Sequence, residues 1–229
     1  KGYGVEQNIE KAKEIFQLGL NQDDPNSMYH IGFIYEEEDP IKSLYYYKQA
    51  ADKNNVHAQL HYAFSKLQND KEESLRYYKM ASSQGEINSQ LSLANLMSKT
   101  DPDKSLALYK KAAEKGSIEA QEFLAIKFSK ENDMGNFDKY CKMLIKSGNT
   151  KVPLEFSVNL YNLKKFKISF YYFSILCDIN HPIARYFIGV MKFYGQGCVQ
   201  DKNESLNILS ELSKQGIDKA TNFIEDHFN

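Results

Sequence analysis

Apolar residues recur at helical spacing along most of the chain, most clearly between Asp101 and Gly116. Asp101 can accept hydrogen bonds from the free backbone N–H groups of a first helical turn, and Pro102 suits the position after it. Tyr109 and Ala113 are four residues apart and therefore share one helical face. Gly116 can adopt the left-handed conformation that ends a helix. The pattern predicts a helix with both ends marked.

The same stretch recurs along the chain, which indicates internal repeats. We take the third residue after the Pro102 position, which is Ser105, as the anchor of each copy. The anchors Ala12, Ser43, Ser74 and Ser105 follow one another at intervals of 31 residues, weaker copies centre on Tyr140 and Ser169, and a clear one centres on Ser205.

When the copies are aligned, the residues that share one position form a column. Three columns besides the anchor have a physical role. The residue four before the anchor is an expected N-cap in six copies and Lys in one: Asn8, Asp39, Asp70, Asp101, Asn136, Lys165 and Asp201. The stop column holds only residue types that tolerate positive φ: Asp23, Asn54, Gly85, Gly116, Gly148, Asn180 and Gly216. Four residues later comes a small residue, with Val152 as the exception: Ser27, Ala58, Ser89, Ala120, Ala184 and Ala220. This small column predicts helices that press closely on their neighbours.

Alternating helices with short loops follow from these columns. The predicted ranges are 8–20, 27–36, 40–53, 57–68, 71–84, 88–98, 102–115, 118–130, 137–147, 152–163, 166–178, 183–193, 202–215 and 218–228. Tyr45–Tyr47 and Phe170–Phe173 favour strand by propensity. Their alignment with Leu106–Tyr109 predicts helix instead.

The repeat resembles the Sel-1-like repeat, a relative of the tetratricopeptide repeat. The residues that carry the resemblance are Ile188–Gly189 with Gly195–Cys198, and Gly2–Val5 at the start of the chain. The middle repeats are about five residues shorter, and the loss falls in the loop between the two helices. The repeat after Gly116 departs most, because Val152–Pro153 replaces the small residue. The resemblance implies an all-α, right-handed superhelix of about seven helix pairs and an adaptor role in protein assemblies.

Composition and charge narrow the function classes. Hydrophobic residues make up 42% of the chain, enough for a continuous core, and the repeat predicts one domain over residues 1–229, expected to be a fragment of a longer protein. Charge is balanced at 29 basic against 30 acidic residues without a basic stripe, so we expect no nucleic-acid partner. No apolar run reaches the length of about 20 residues that a membrane helix needs. Three cysteines without a short-spaced pair favour reduced thiols and a cytoplasmic location.

Candidate catalytic and metal sites fail on inspection, so we expect no enzyme activity, cofactor or metal. His57 and His61 are four residues apart, but no third ligand or metalloprotease glutamate accompanies them, and His61 shares a repeat column with His30. Gly195–Gly197 follows a helix rather than a strand, so it predicts a turn and not a phosphate loop. The run Glu36–Asp39 is interpreted as a loop with a helix cap, with an acidic docking patch as the alternative.

A candidate partner-binding stripe lies on the first helix of each pair, which lines the concave side in helical-repeat folds. Residues two and six after the small column share one helical face. They are Tyr29, Phe33, Leu60, Phe64, Leu91, Asn95, Glu122, Ile126, Leu154, Val158, Tyr186 and Val190. The stripe is either core between helices or an apolar groove for a peptide or helix. Gln59, Gln90 and Gln121, one residue after the small column, form either a polar ladder beside this groove or caps on neighbouring loops.

The function that these patterns favour is a non-catalytic scaffold that binds a protein or peptide. Self-association, or spacing of other domains in a longer protein, is the alternative, and the oligomeric state is open. A β-lactam-binding enzyme is the third hypothesis, because one cysteine-rich branch of the resembled family is linked to penicillin binding. This chain lacks the paired cysteines of that branch.

Overall fold

The computed structural model describes residues 8–228, and within that range the chain is helical with no strand. The helices are α1 (Ile9–Asn21), α2 (Pro25–Ile34), α3 (Pro40–Asp52), α4 (Val56–Lys66), α5 (Lys71–Ser83), α6 (Ile87–Met97), α7 (Pro102–Glu114), α8 (Ile118–Lys130), α9 (Met134–Lys146), α10 (Lys151–Asn162), α11 (Phe166–Cys177), α12 (Pro182–Tyr194), α13 (Lys202–Lys214) and α14 (Asp218–Phe228). Even-numbered helices are the first members of the repeat's pairs and odd-numbered helices the second. The all-α prediction is confirmed, as are the helices at both aromatic clusters.

Local hydrogen bonds explain why these helices begin and end where they do. Five residues of the predicted N-cap column accept a side-chain hydrogen bond of 2.8–3.1 Å from the N–H three residues on: Asn8, Asp39, Asp70, Asp101 and Asp201. Lys165 precedes α11 without a capping bond from its side chain. Every residue of the predicted stop column has positive φ, from 56° at Asn180 to 92° at Gly116.

The register predicted for the copy around α9 is wrong by three residues. The N-cap of α9 is Asp133, whose carboxylate accepts a hydrogen bond from the Asn136 backbone N–H at 3.1 Å. The anchor column therefore falls on Phe137, which is fully buried, and not on Tyr140. An aromatic ring has replaced the small polar anchor at this position, so the sequence offered no serine by which to align the copy.

The described helices divide between two compact units, Lys1–Ala120 and Gln121–Asn229, called unit 1 and unit 2 below. Consecutive helices pack on each other within unit 1 from α1 to α7, and within unit 2 from α9 to α14. The core of unit 1 is built around the buried side chains of Tyr47, Tyr62, Tyr77 and Tyr78. A single domain over 1–229 stays a prediction.

Close approach of paired helices explains two glycines inside helices. A Cβ atom on Gly32 of α2 would lie 2.9 Å from the ring of Tyr47 on α3. A Cβ atom on Gly189 of α12 would lie 2.8 Å from Cγ of Leu209 on α13. Glycine is tolerated in these helix interiors because the neighbouring helix occupies the space that a side chain would need.

The remaining loop predictions have mixed outcomes. Gly195 and Gly197 both have positive φ and form a turn after α12, as predicted. The Gly2–Val5 loop lies outside the described residues.

Across the described helices, none combines the length and apolar character needed to cross a bilayer.

Candidate protein-binding surface

In unit 1 a cluster of aromatic rings joins neighbouring first-type helices, the name used here for the even-numbered first members of the helix pairs. The ring of Tyr29 on α2 lies 5.7 Å from that of His57 and 5.6 Å from that of His61, both on α4. Tyr47 of α3 lies 5.0 Å from His61 on the other side. These ring contacts place α2 beside α4 within unit 1.

The two columns of the predicted stripe have different surroundings in unit 1. In the first column Tyr29 and Leu60 are half-buried and Leu91 is 6% exposed. In the second column Phe33 is 55% exposed and Phe64 is 70% exposed. Asn95 is also exposed in this column. In unit 1 the first column is therefore packed between helices and the second, called the open column below, is exposed to solvent. That the open column binds a peptide or helix stays a prediction.

Unit 2 combines packed and open positions in a different way. Leu154 and Val158 of α10 pack against a cluster of buried residues around Phe173 and Met191. Ile126 of α8 is 44% exposed. Glu122 on the same helix accepts a hydrogen bond of 2.8 Å from the side chain of Asn149, which holds its carboxylate in place.

Tyr186 and Val190 of α12 line a groove in unit 2 with a volume of about 460 Å³. Tyr161 of α10 and Phe223 of α14 form its other apolar walls. Val190 is only 6% exposed and contributes to the floor. The lining also includes polar side chains of α14: Lys219, Asn222 and Asp226. This is the composition expected of a site for an apolar side chain with polar groups at its margin.

The Glu36 carboxylate contacts two members of the aromatic cluster of unit 1, Tyr47 and His61. Glu36 accepts a hydrogen bond of 2.6 Å from the Tyr47 hydroxyl and lies 3.1 Å from Nδ1 of His61. Burial, together with the Glu36 carboxylate, raises the pKa of Tyr47 above its ordinary value. The acidic run therefore acts as a loop whose side chains bind their own unit: Glu38 pairs with Lys13, and Asp39 caps α3.

One of the three glutamines that follow the small column, Gln59, binds the loop before its helix. Gln59 is fully buried, and its side-chain amide donates to the Ala51 carbonyl oxygen at 3.2 Å and to the Asn54 side chain at 3.1 Å. Gln84, at the C-terminal end of α5 in the same helix pair, donates to Gln59 Oε1 at 2.8 Å. For Gln59 the structure thus selects the loop-capping alternative. Gln90 and Gln121 are buried as well.

The histidines and cysteines singled out in the sequence have packing roles in the structure. His30 stacks on Phe16 with ring centroids 4.7 Å apart, and His57 and His61 contact Tyr29 as described. Within residues 8–228, no group of three or more His, Cys, Asp or Glu side chains has the arrangement needed to hold a metal ion. Burial raises the pKa of the Cys141 thiol to about 12 and that of Cys177 to about 11, so neither is an activated nucleophile.

The fold defines an all-α helical-repeat protein. The sequence pattern of the Sel1 repeat matches residues 1–24, 26–55, 60–86, 92–117 and 182–217, more than half of the chain. The chain belongs to the Sel1 repeat family, whose members typically act as scaffolds for protein interactions. The longest unmatched stretch, 118–181, contains the repeat that departs most from the pattern.

Two solved structures have a similar fold. A Sel1 repeat protein from Oxalobacter formigenes is 18% identical with a TM-score of 0.58, over 97% of this chain and 71% of that one. The protective antigen c5321 of uropathogenic Escherichia coli, described as displaying an SLR fold, is 19% identical with a TM-score of 0.57, over 91% of this chain. The present chain spans 50% of that antigen's length. No match was found among curated proteins.

Proposed function

We propose that this chain is a non-catalytic scaffold that binds a peptide or helix of a partner protein through the open column of its first-type helices. Phe33 and Phe64 are the central residues in unit 1. In unit 2 we include the groove described above, which is lined by Tyr186 of the first column. The observation that carries the proposal is the exposure of two phenylalanine side chains on adjacent helices of one unit, 55% and 70%. Apolar side chains grouped on one surface are typical of interaction sites.

Rigidity supports the same proposal. The helices that carry Phe33 and Phe64 are joined by the ring contact between Tyr29 and His61, and the Glu36 carboxylate accepts a hydrogen bond from Tyr47 within the same unit. A partner would therefore dock on side chains that are already held in place, and little conformational entropy would be lost on binding. In the helix-in-groove mode, apolar residues of the partner at helical spacing would cover the two rings.

The test compares two double variants that each add two negative charges to exposed apolar positions of unit 1. F33D/F64D alters the proposed surface, whereas I41D/Y45D alters exposed residues of α3 and serves as the matched control. Proteins captured by the unaltered chain are quantified by mass spectrometry, and we expect their recovery to fall about tenfold or more with F33D/F64D only. Equal recovery with both variants contradicts the proposal.

Self-association is distinguished by light scattering of the purified chain. A dimer that F33D/F64D dissociates would assign the open column to contacts between copies and replace the proposal of a foreign partner. A monomer at all concentrations, combined with selective loss of captured proteins, supports the scaffold. Hydrolysis of a chromogenic β-lactam by the chain would contradict the proposal that it is not an enzyme.

A further inference from the structure

A second surface, in unit 2, is positively charged, unlike the open column that contains Phe33 and Phe64. The turn between α10 and α11 and the Gly-x-Gly loop after α12 enclose a cleft of about 760 Å³. Lys164, Lys165 and Lys167 lie along the α10–α11 side. Ile168 on that side and Val199 on the loop are 43% and 87% exposed. We call this set of five residues the lysine cleft.

The longer loop of this repeat creates the cleft. A Cβ atom on Gly197 would lie 2.4 Å from the carbonyl oxygen of Phe166, so the loop backbone packs directly on the first residue of α11. Glycine is required there both for this approach and for its φ of 75°. The loop then continues through Cys198 to Val199 and forms the second wall. Because the middle repeats lack these residues, they form no equivalent wall.

The charge of the lysine cleft is uncompensated. Among the described residues that line it, three are lysines and none is acidic. No ion pair joins any of the three lysines to a carboxylate within residues 8–228. The first turn of α11 contains no acidic residue, and no side chain caps it. Positive charge at this end of a helix is unfavourable by itself, since the helix dipole is positive there.

These observations together fit a ligand that is both anionic and partly apolar. We propose that the lysine cleft binds an extended acidic segment of a partner protein, in which carboxylates flank an apolar side chain. The carboxylates would pair with the three lysines, and the apolar side chain would lie between Ile168 and Val199. The exposed valine and isoleucine favour a peptide over a nucleic-acid backbone, whose phosphates would use the lysines only. This site is separate from the Phe33 and Phe64 surface and does not depend on it.

The experiment measures fluorescence anisotropy of a labelled peptide in which glutamates flank a pair of leucines. K164E/K165E/K167E reverses the charge of the cleft, and K146E/K151E/K214E makes the same charge change at exposed lysines elsewhere in unit 2. We expect the cleft variant to bind about tenfold or more weakly and the control variant to bind as the unaltered chain does. Substitution V199S should also weaken binding, without affecting the fold, because the side chain is 87% exposed.

Three results would overturn the proposal. Equal weakening in both lysine variants would show a response to overall charge alone. Tighter binding of a single-stranded oligonucleotide than of the peptide, lost in the cleft variant, would assign the cleft to nucleic acid. Dimers of the chain that only the cleft variant dissociates would assign it to a second copy. Because F33D/F64D leaves the cleft intact, that variant should bind the peptide normally even if the proposed scaffold surface were wrong.

Discussion

The hydroxyl group of Ser74 donates a hydrogen bond of 2.7 Å to the backbone carbonyl oxygen of Ala63. Ser74 belongs to α5 and Ala63 to α4, so the bond joins the two helices of one pair. The same bond links Ser105 to Ala94 at 2.7 Å, and Ser205 to Gly189 at 2.8 Å. The anchor serine of the repeat therefore ties the second helix to a backbone carbonyl oxygen of the first, at Ala63, Ala94 or Gly189.

This bond gives the first prediction. Ser74 is fully buried, so S74A removes a donor that the close helix contact has enclosed. We expect the free energy of unfolding to fall by about 0.5–1.5 kcal/mol. Urea denaturation measures it, with S83A as the control, because the Ser83 hydroxyl lies on the exposed surface and bonds within its own helix. Loss of stability in neither variant would show that the bond between helices contributes nothing.

A second prediction concerns the contact between α12 and α13. G189A places a methyl group 2.8 Å from Cγ of Leu209, a side chain that is fully buried. Overpacking of this kind costs about 1–3 kcal/mol, and the thermal midpoint should fall. G135A, in the first turn of α9, is the matched control, since the atom nearest to the added Cβ would be Asp133 Oδ1 at 3.7 Å and alanine favours helix. A stability gain in both variants would contradict the close packing.

The helix stop at Gly116 gives a third prediction. Its φ is 92°, and a Cβ atom there would meet no other atom within 4 Å. G116V therefore tests backbone conformation alone, and we expect a loss of about 1–2 kcal/mol in urea denaturation. G116N should lose less, because asparagine already occupies this column with positive φ at Asn54 and Asn180. An unchanged denaturation midpoint in G116V would refute the role of this residue in ending α7.

A fourth prediction separates surface from core phenylalanines. Phe64 is 70% exposed, so F64A should cost less than about 1 kcal/mol of folding stability. Phe137 is fully buried, and F137A should cost about 3–5 kcal/mol. Chemical denaturation measures both losses. A loss in F64A that matches the loss in F137A would place Phe64 in the core and remove the basis of the proposed binding surface.

The cap of α2 gives a prediction about pH. The Ser27 hydroxyl and backbone N–H donate to the Asp24 carboxylate and hold its pKa below its ordinary value. The unfolded chain therefore binds this proton more readily, so the stability from the cap is complete above the unfolded pKa of about 4 and is lost as pH falls through the lower folded value. D24N keeps a capping oxygen but does not titrate. We expect a shallower acid decline of stability in D24N, measured by urea denaturation across a pH series; parallel declines would contradict the role of Asp24.

Much of the fold could be predicted because its determinants are local. Asp101 and Gly116 mark the ends of α7 through hydrogen bonds and a backbone conformation that involve only nearby residues. The register of α9 could not be predicted in this way. Phe137 fills the anchor position by packing, and packing has no fixed signature in sequence, so the cap at Asp133 became visible only in the structure.

The candidate surface was predicted only in part. Phe33 and Leu91 belong to two columns that were treated as one face, yet positions four residues apart differ by about 40° around a helix. In unit 1 that rotation is enough to turn the first column toward the neighbouring helix and the second toward solvent. The lysine cleft was missed, although a signal existed: a lysine-rich turn and the one Gly-x-Gly loop within the described residues. Their proximity depends on the contact between Gly197 and Phe166.

The sequence by itself determined the class of protein, the number of helices and nearly all of their boundaries. Capping residues, helix stops and apolar spacing act over a few residues, and the repeat of 31 residues multiplies each signal. Only the tertiary structure decided which apolar side chains are exposed to solvent and which lysines without an ion pair lie close together. Exposure and proximity depend on how neighbouring helices and loops of different length fill the space around each residue, and that information is spread over segments far apart in the chain.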